Sequence, residues 1–150
     1  MGAIQLVVFS LGKEEYAVDI AYAQEIIRVP QQRIKIPNMP SHIEGIINLR
    51  GRVIPVIDLK KSFGYAGSEK GEDSRLLILD LDNMLAGIIV DDVSEVMKLD
   101  EKAVEKLGPE LAGAGGGCLS GIGRLGGRLI MLLEASRLKV KLFKNNNEME

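Results

Sequence analysis

Chemistry needs nucleophiles, bases or ligands at workable spacing, and this sequence offers few of them. It contains one histidine, His42, and one cysteine, Cys118. A hydroxyl or thiol nucleophile needs a base within hydrogen-bond reach. His42 is the one histidine available for that, and it follows Pro40-Ser41 on a proline-rich connection, where a structural role is expected. Cys118 has no base or cation in its local sequence and reads as a small structural thiol. One of each also excludes an internal disulfide and a self-contained four-ligand zinc site. Asp91-Asp92 looks like a carboxylate pair, but adjacent strand residues point to opposite faces, so both are read as solvated strand-end charges. Residues 112–117 are glycine-rich. A phosphate-cradling loop would continue into Lys and Ser or Thr at a helix start, whereas Cys118-Leu119-Ser120-Gly121 leads into a strand pattern, so a flexible linker is expected. The residues thus point to no catalytic group, no metal and no cofactor.

What remains is chemistry for binding. Residues 45–59 hold two apolar runs broken by Arg50-Gly51, which reads as a hairpin with Gly51 free to take positive φ. Pro55 cannot donate to a sheet ladder, so that position should lie at an edge or a bulge. Glu25 and Arg50 are the ionic residues embedded in the most apolar segments of the first half, and a pair between them would fix the hairpin tip against residues 24–27. At an exposed site such a pair contributes only about 0 to 1 kcal/mol, so stability alone gives little reason for it. Arginine also presents a planar fork of donors suited to carboxylates or carbonyls of another protein.

The elements that would position these residues are short and mostly extended. Residues 5–11 and 16–20 flank a polar turn, 75–81 and 84–90 flank Asp82-Asn83, and 119–125 and 128–133 flank Gly126-Gly127, three further hairpin signals. Asp19 is placed to cap a short helical turn over 21–25, followed by an extended segment from Ile26. Residues 59–63 suit one helical turn stopped by Gly64, and 66–74 an exposed loop. Residues 95–99 suit a strand, and 100–107 carry helix start and stop signals over a short span. Residues 134–142 suit a closing helix, with 144–150 a frayed polar tail. Shifting the chain by 70 residues places Leu6-Val7-Val8-Phe9 on Leu76-Leu77-Ile78-Leu79, Glu25 on Glu95 and Ile26 on Val96. A slightly larger shift places Gly45-Ile46 on Gly121-Ile122 and Gly51-Arg52 on Gly127-Arg128. This is an internal duplication. Two copies of about five strands each predict a mostly β protein of two small barrels packed together, since neither copy alone would bury much surface. At the position of Arg50 the second copy has Gly126, while Glu95 keeps the acid.

Composition narrows the partners. The 150 residues are 46% hydrophobic and 27% charged, a soluble globular profile. Nineteen basic against 21 acidic residues, a net charge of -2, give no global pull toward nucleic acid or anionic lipid. Aromatic residues are 4% with no Trp, so a base-stacking platform is poorly supported. A nucleic-acid-binding barrel would need a basic stripe, and a small enzyme on the glycine-rich loop would need a phosphate; both are weaker readings. No signal-peptide pattern and no run near the roughly 20 apolar residues of a membrane helix is present, so a cytoplasmic location without membrane insertion is expected.

Residues 45–59, with Tyr16-Ala17-Val18-Asp19-Ile20, Gln24-Glu25-Ile26-Ile27 and Pro37-Asn38-Met39-Pro40 in that order, resemble the bacterial chemotaxis coupling proteins of the CheW family. The resemblance runs from about residue 5 to about residue 138. It implies one CheW-like domain, residues 1–150, of two SH3-like five-stranded barrels with a hydrophobic groove between them, and leaves open whether the barrels share strands. It also implies a non-enzymatic adaptor, monomeric alone, that binds chemoreceptor cytoplasmic tips and the regulatory domain of the histidine kinase CheA in arrays at the inner face of the membrane. The same module in a related sensory array is the near alternative, and the chain length suits a stand-alone coupler. In the family, Val-Gln-Glu-Ile and Asn-Leu-Arg-Gly motifs help form the receptor surface; here they are residues 23–26 and 48–51, with Ala23 in place of the usual valine. The resemblance therefore assigns receptor contacts to Ala23, Glu25, Gly45, Asn48, Arg50 and, from the second copy, Val96. It assigns no residues to the kinase contact.

Overall fold

The computed structural model describes residues 2–66, 71–111, 113 and 117–143. Eleven strands among these residues form two sheets. The first half of the chain supplies β1 (Ala3–Leu11), β2 (Glu14–Asp19), β3 (Ala23–Arg28), β4 (Ile43–Leu49), β5 (Arg52–Asp58) and the short helix α1 (Leu59–Ser62). The second supplies β6 (Arg75–Asp80), β7 (Leu85–Val90), β8 (Asp92–Asp100), the two-residue β9 (Val104–Glu105), β10 (Leu119–Leu125), β11 (Arg128–Leu133) and helix α2 (Ala135–Phe143). Strand order is β8-β1-β2-β11-β10-β9 in barrel 1 and β3-β6-β7-β5-β4 in barrel 2.

Those orders show the duplication and how it is deployed, which the sequence leaves open. Under the 70-residue shift the hairpin β1–β2 corresponds to β6–β7 and β3 to β8, and under the larger shift β4–β5 corresponds to β10–β11. Each barrel is not one copy: β1–β2 completes the sheet built from the second copy, and β6–β7 completes the sheet built from the first. The seams are equivalent parallel pairings, β2 with β11 and β5 with β7. Even the irregularities repeat. A bulge at Gln24 of β3 matches one at Ser94 of β8, and a bulge at Glu44 of β4 matches one at Ser120 of β10. Barrel 1 has a sixth strand, because Val104 and Glu105 pair with Gly123 and Ile122; in barrel 2 the corresponding edge is a single bridge from Ile34 to Ile46.

Strand alternation explains why the exchange holds. Leu6 and Val8 of β1 point into barrel 1 with Met97, Leu99, Ile130 and Leu132. Leu76 and Ile78 of β6 point into barrel 2 with Ile47, Ile54 and Val56. The opposite faces, Val7, Phe9 and Leu11 against Leu77, Leu79 and Leu81, meet in the largest core, which lies between the barrels. α2 closes this core with Ala135, Leu138 and Leu142, spaced to share one helical face. At depth, then, the space that the resemblance gives as a groove is packed with side chains. Each fully buried Leu or Phe here stabilises by about 1.5–3 kcal/mol, so the contact between barrels is as much a core as either interior.

Other expectations are adjusted locally. The turn capped by Asp19 spans only Ile20–Tyr22, the Asp19 carboxylate accepting from the Ala21 N–H at 2.9 Å, and β3 begins directly at Ala23. Residues 100–107 give a three-residue turn, Glu101–Ala103, and then β9 rather than a helix, because pairing with β10 wins over a short helical propensity. β5 is an inner strand, but its pairing with β7 covers only Val56 to Asp58, so Pro55 falls where the missing N–H has no β7 neighbour. α1 is the single turn expected, with Gly64 at φ +81° after it. Much of the glycine-rich stretch, the middle of the 66–74 loop and the tail from 144 lie outside the described residues.

Candidate functional site: the Glu25–Arg50 hairpin end

The tip of β4–β5 is a two-residue turn with Arg50 at φ +51° and Gly51 at φ +84°. Such a turn matches the twist of the flanking strands, and glycine takes it at no steric cost. Arginine does not, and left-handed backbone costs a residue with a Cβ about 1–2 kcal/mol. Asn48 secures the tip, its Oδ1 accepting from the Gly51 N–H at 2.8 Å. From there Arg50 reaches across to β3 and donates from Nη1 to Glu25 Oε1 at 2.6 Å and from Nη2 to Oε2 at 2.5 Å. This planar, two-point pair is the one anticipated from sequence. The Arg50 hydrogen bonds hold the Glu25 carboxyl below the usual range against a smaller effect of burial, and Glu25 in turn raises the Arg50 pKa. The Arg50 side chain is nonetheless 68% exposed, against 26% for Glu25, and its Nε–H and outer Nη hydrogens remain for a partner. Gln24, Glu25, Leu49, Arg50, Arg52, Ile54, Ile78 and Leu85 line a hollow of about 190 Å³ beside the pair.

The six positions drawn from the resemblance are not brought to one spot. Glu25, Asn48 and Arg50 meet at the tip. Gly45 is buried at the β4 bulge with φ +142°, and a Cβ there would run into the Ile34 carbonyl oxygen, which bonds the Ile46 N–H at 2.8 Å. Its glycine is therefore demanded by the backbone. Ala23 packs against the core between the barrels, and Val96 lies on barrel 1, 54% exposed on β8. Its counterpart Ile26 is 43% exposed on β3, an apolar residue beside Glu25 as Val96 is beside Glu95.

Arg128 was not picked out from sequence. It opens β11 and donates to Glu15 Oε1 at 3.0 Å from Nε and to Glu15 Oε2 at 2.7 Å and Glu95 Oε2 at 2.8 Å from Nη2. Its hydrogen bonds lower the Glu15 pKa, against a smaller effect of burial. Barrel 1 thus keeps an arginine on its acidic strand despite Gly126, using the residue that aligns with Arg52. The signal was present in the match of Gly51-Arg52 with Gly127-Arg128.

The residues considered for chemistry are engaged structurally. The His42 Nε2 lies 2.8 Å from the Leu142 carbonyl oxygen, tying α2 to the start of β4. Cys118 is buried, and burial pushes its thiol up to about 11, so it is protonated at neutral pH. Asp91 is not the solvated charge expected: it accepts from the Gly12 N–H at 2.6 Å and pairs with Lys60 at 3.2 Å, linking the β1–β2 hairpin to α1. Among the described residues no group of three or more His, Cys, Asp or Glu is placed to hold a metal ion, and no helix is long and apolar enough to cross a membrane.

Two interlocked barrels with an arginine presented at a strained, exposed turn define a small β-barrel interaction module. Residues 5–141 match the CheW-like domain. The chain is 36% identical over 135 residues to the chemotaxis protein CheW of Klebsiella aerogenes, covering 89% of this chain and 80% of that protein. It is 34% identical over 138 residues to CheW of Treponema pallidum, covering 89% and 81%. Among solved structures, the scaffolding protein TtCheW of Thermoanaerobacter tengcongensis superposes with a TM-score of 0.78 at 40% identity, over 89% of this chain and 90% of that one. The chain belongs to the CheW family, and it is a chemotaxis adaptor.

Proposed function

We propose that this protein acts by binding alone, joining chemoreceptor cytoplasmic tips to the histidine kinase CheA so that receptor state is passed to the kinase through their relative placement. The observation that carries the receptor half of this reading is Arg50. The fold would sooner have glycine at that turn position, as the second copy does, yet arginine is kept there, exposed and oriented by Glu25. A residue held in unfavourable backbone, with only a solvent-screened surface pair in return, is accounted for by a partner rather than by stability. The receptor would place apolar side chains against Ile26 and Val96 while Arg50 and Glu25 set its orientation. Recruitment to arrays beneath the membrane follows from receptor binding and needs no membrane segment of its own.

The test is calorimetric titration with a soluble receptor signalling fragment and, separately, with the CheA regulatory domain. Arg50→Asp sets like charges against Glu25 at an exposed tip. Receptor affinity should fall by about tenfold or more, while CheA affinity and melting temperature stay near wild type. Receptor binding unchanged by Arg50→Asp would remove the role given to this residue.

A further inference from the structure

We propose that Asn48 is a positioning residue for the receptor site, acting through Arg50 by fixing the backbone that presents it. This rests on the receptor reading above. The β4–β5 ladder ends with Leu49 opposite Arg52, so Arg50 and Gly51 form the tip with no ladder pairing of their own. Glu25 holds the guanidinium from β3, but a side chain with as many rotamers as arginine can reach one carboxylate from several backbone placements. The backbone itself is held by Asn48, whose Oδ1 accepts from the Gly51 N–H at 2.8 Å, three residues on. A short polar side chain closing onto nearby backbone in this way stabilises a turn. It does so here beside Arg50 at φ +51°, a conformation that disfavours any residue with a Cβ.

The second copy shows that the hairpin alone does not demand this asparagine. The shift that places Gly51-Arg52 on Gly127-Arg128 also places Arg50 on Gly126 and Asn48 on Arg124. Gly126 takes φ +61° at no steric cost. The residue aligned with Asn48 serves a different purpose there, Arg124 donating from Nε to Glu105 Oε1 of β9 at 2.5 Å. A hairpin of the same plan is thus built without asparagine at this position when glycine stands at the turn. Asparagine accompanies the arginine. Asn48 is itself exposed, so replacing it leaves the cores untouched and alters the tip.

The experiment is a double-mutant cycle of Asn48→Ala and Arg50→Ala, read by calorimetry as affinity for the receptor fragment, with the CheA regulatory domain as the control partner. Asn48→Ala should weaken receptor binding by about threefold to tenfold in the wild-type background and by less than about twofold in the Arg50→Ala background, since residues acting through one another are not additive. CheA affinity should stay within about twofold throughout. Asn48→Asp keeps an oxygen for the Gly51 N–H and should hold receptor affinity within about threefold of wild type, whereas a contact made through the amide NH2 would be lost in both variants. Carboxylate NMR adds a readout that does not involve the receptor. Hydrogen bonds from Arg50 hold the Glu25 pKa down, so a tip loosened by Asn48→Ala should let Glu25 titrate nearer the ordinary range. If Arg50→Ala binds too weakly for the cycle, Asn48→Asp and the Glu25 titration decide. Additive losses, or Asn48→Asp binding as weakly as Asn48→Ala, would make Asn48 a direct contact and overturn the inference while the receptor reading stands; an unmoved Glu25 titration would overturn it too. If Arg50→Asp removes receptor binding and Asn48→Ala leaves it intact, this inference falls alone. If neither affects it, both fall.

Discussion

The two barrels are laid out on one plan, and the arginines at their hairpin ends show where the copies parted. In barrel 2 the arginine occupies the left-handed turn position itself, projects from the tip and takes one carboxylate partner. In barrel 1 that turn position is Gly126 at φ +61°, and the arginine that meets the acid stands two residues on, in regular strand at the position aligned with Arg52, where it takes two carboxylate partners and is about half as exposed as Arg50. Both keep an acid on the corresponding strand, after corresponding bulges. What differs is only whether the guanidinium is displayed or stowed. A duplicated scaffold can thus be held constant while one end is tuned outward, because a two-residue turn is the cheapest place to change what the surface offers.

The largest effects should come from breaking what the copies share. Phe9→Ala and Leu79→Ala remove corresponding side chains from the core between the barrels. Each should cost about 3–5 and 2–5 kcal/mol respectively, and because the hairpins are exchanged, each should loosen both barrels in one cooperative transition. Denaturant titration followed by tyrosine fluorescence and circular dichroism checks this; two separated transitions would show that the barrels unfold independently despite the exchange. Next in size is a contrast of corresponding glycines. Gly45→Ala meets the Ile34 carbonyl and imposes a Cβ at φ +142°, whereas Gly121→Ala meets the Glu105 carbonyl at 2.8 Å without a positive φ. Both should destabilise, Gly45→Ala by about 1–3 kcal/mol more, as read from thermal melts.

The contrast also shows which parts of the molecule the sequence discloses. The strands and the internal repeat were legible, because alternation and turn residues are local signals that survive in both copies. The pairing of Glu25 with Arg50 was legible as two charges stranded in apolar runs. The exchange of hairpins was not, since Leu76-Leu77-Ile78-Leu79 is apolar on both faces and such a strand fits either sheet; only the packed structure says which neighbours it takes. That Gly45 must be glycine was not legible, since the demand comes from the Ile34–Ile46 bridge, an interaction across the irregular residues 35–42 that leaves no periodic mark. Arg128 is visible in the match of Gly51-Arg52 with Gly127-Arg128, but its role is not, because alignment does not show that a side chain as long as arginine can serve the corresponding acid from two residues beyond the turn.

A smaller effect follows from the strain at Arg50. Arg50→Gly relieves about 1–2 kcal/mol of left-handed backbone cost but gives back about 0.5–1 kcal/mol in unfolded-chain entropy. Loss of the solvent-screened Glu25 pair changes this balance little. Stability should therefore stay within about 1 kcal/mol of wild type, while receptor affinity drops as in Arg50→Asp. A variant that keeps full receptor binding would mean the turn is adapted to folding alone.

The finest distinction is electrostatic. Glu25 is lowered by its hydrogen bonds to Arg50, and Glu15 by its hydrogen bonds to Arg128. For a carboxyl whose folded pKa lies below its unfolded value, the linked stability is fully present above the unfolded pKa, about 4.3 for Glu, and is lost as pH falls through the depressed native value. Each pair should accordingly hold through neutral and mildly acidic pH and release below the usual Glu range. Carboxylate NMR titration separates them: Arg50→Gln should return Glu25 to the ordinary range and leave Glu15 depressed, and Arg128→Gln should do the reverse. If either substitution moved both carboxyls, the two ends would be coupled through the shared core and could no longer be treated as independent copies of one device. If Glu15 titrated in the ordinary range in the wild-type protein, the two-point Arg128–Glu15 pair on barrel 1 would not hold in solution, and the distinction between a displayed and a stowed arginine would reduce to exposure alone.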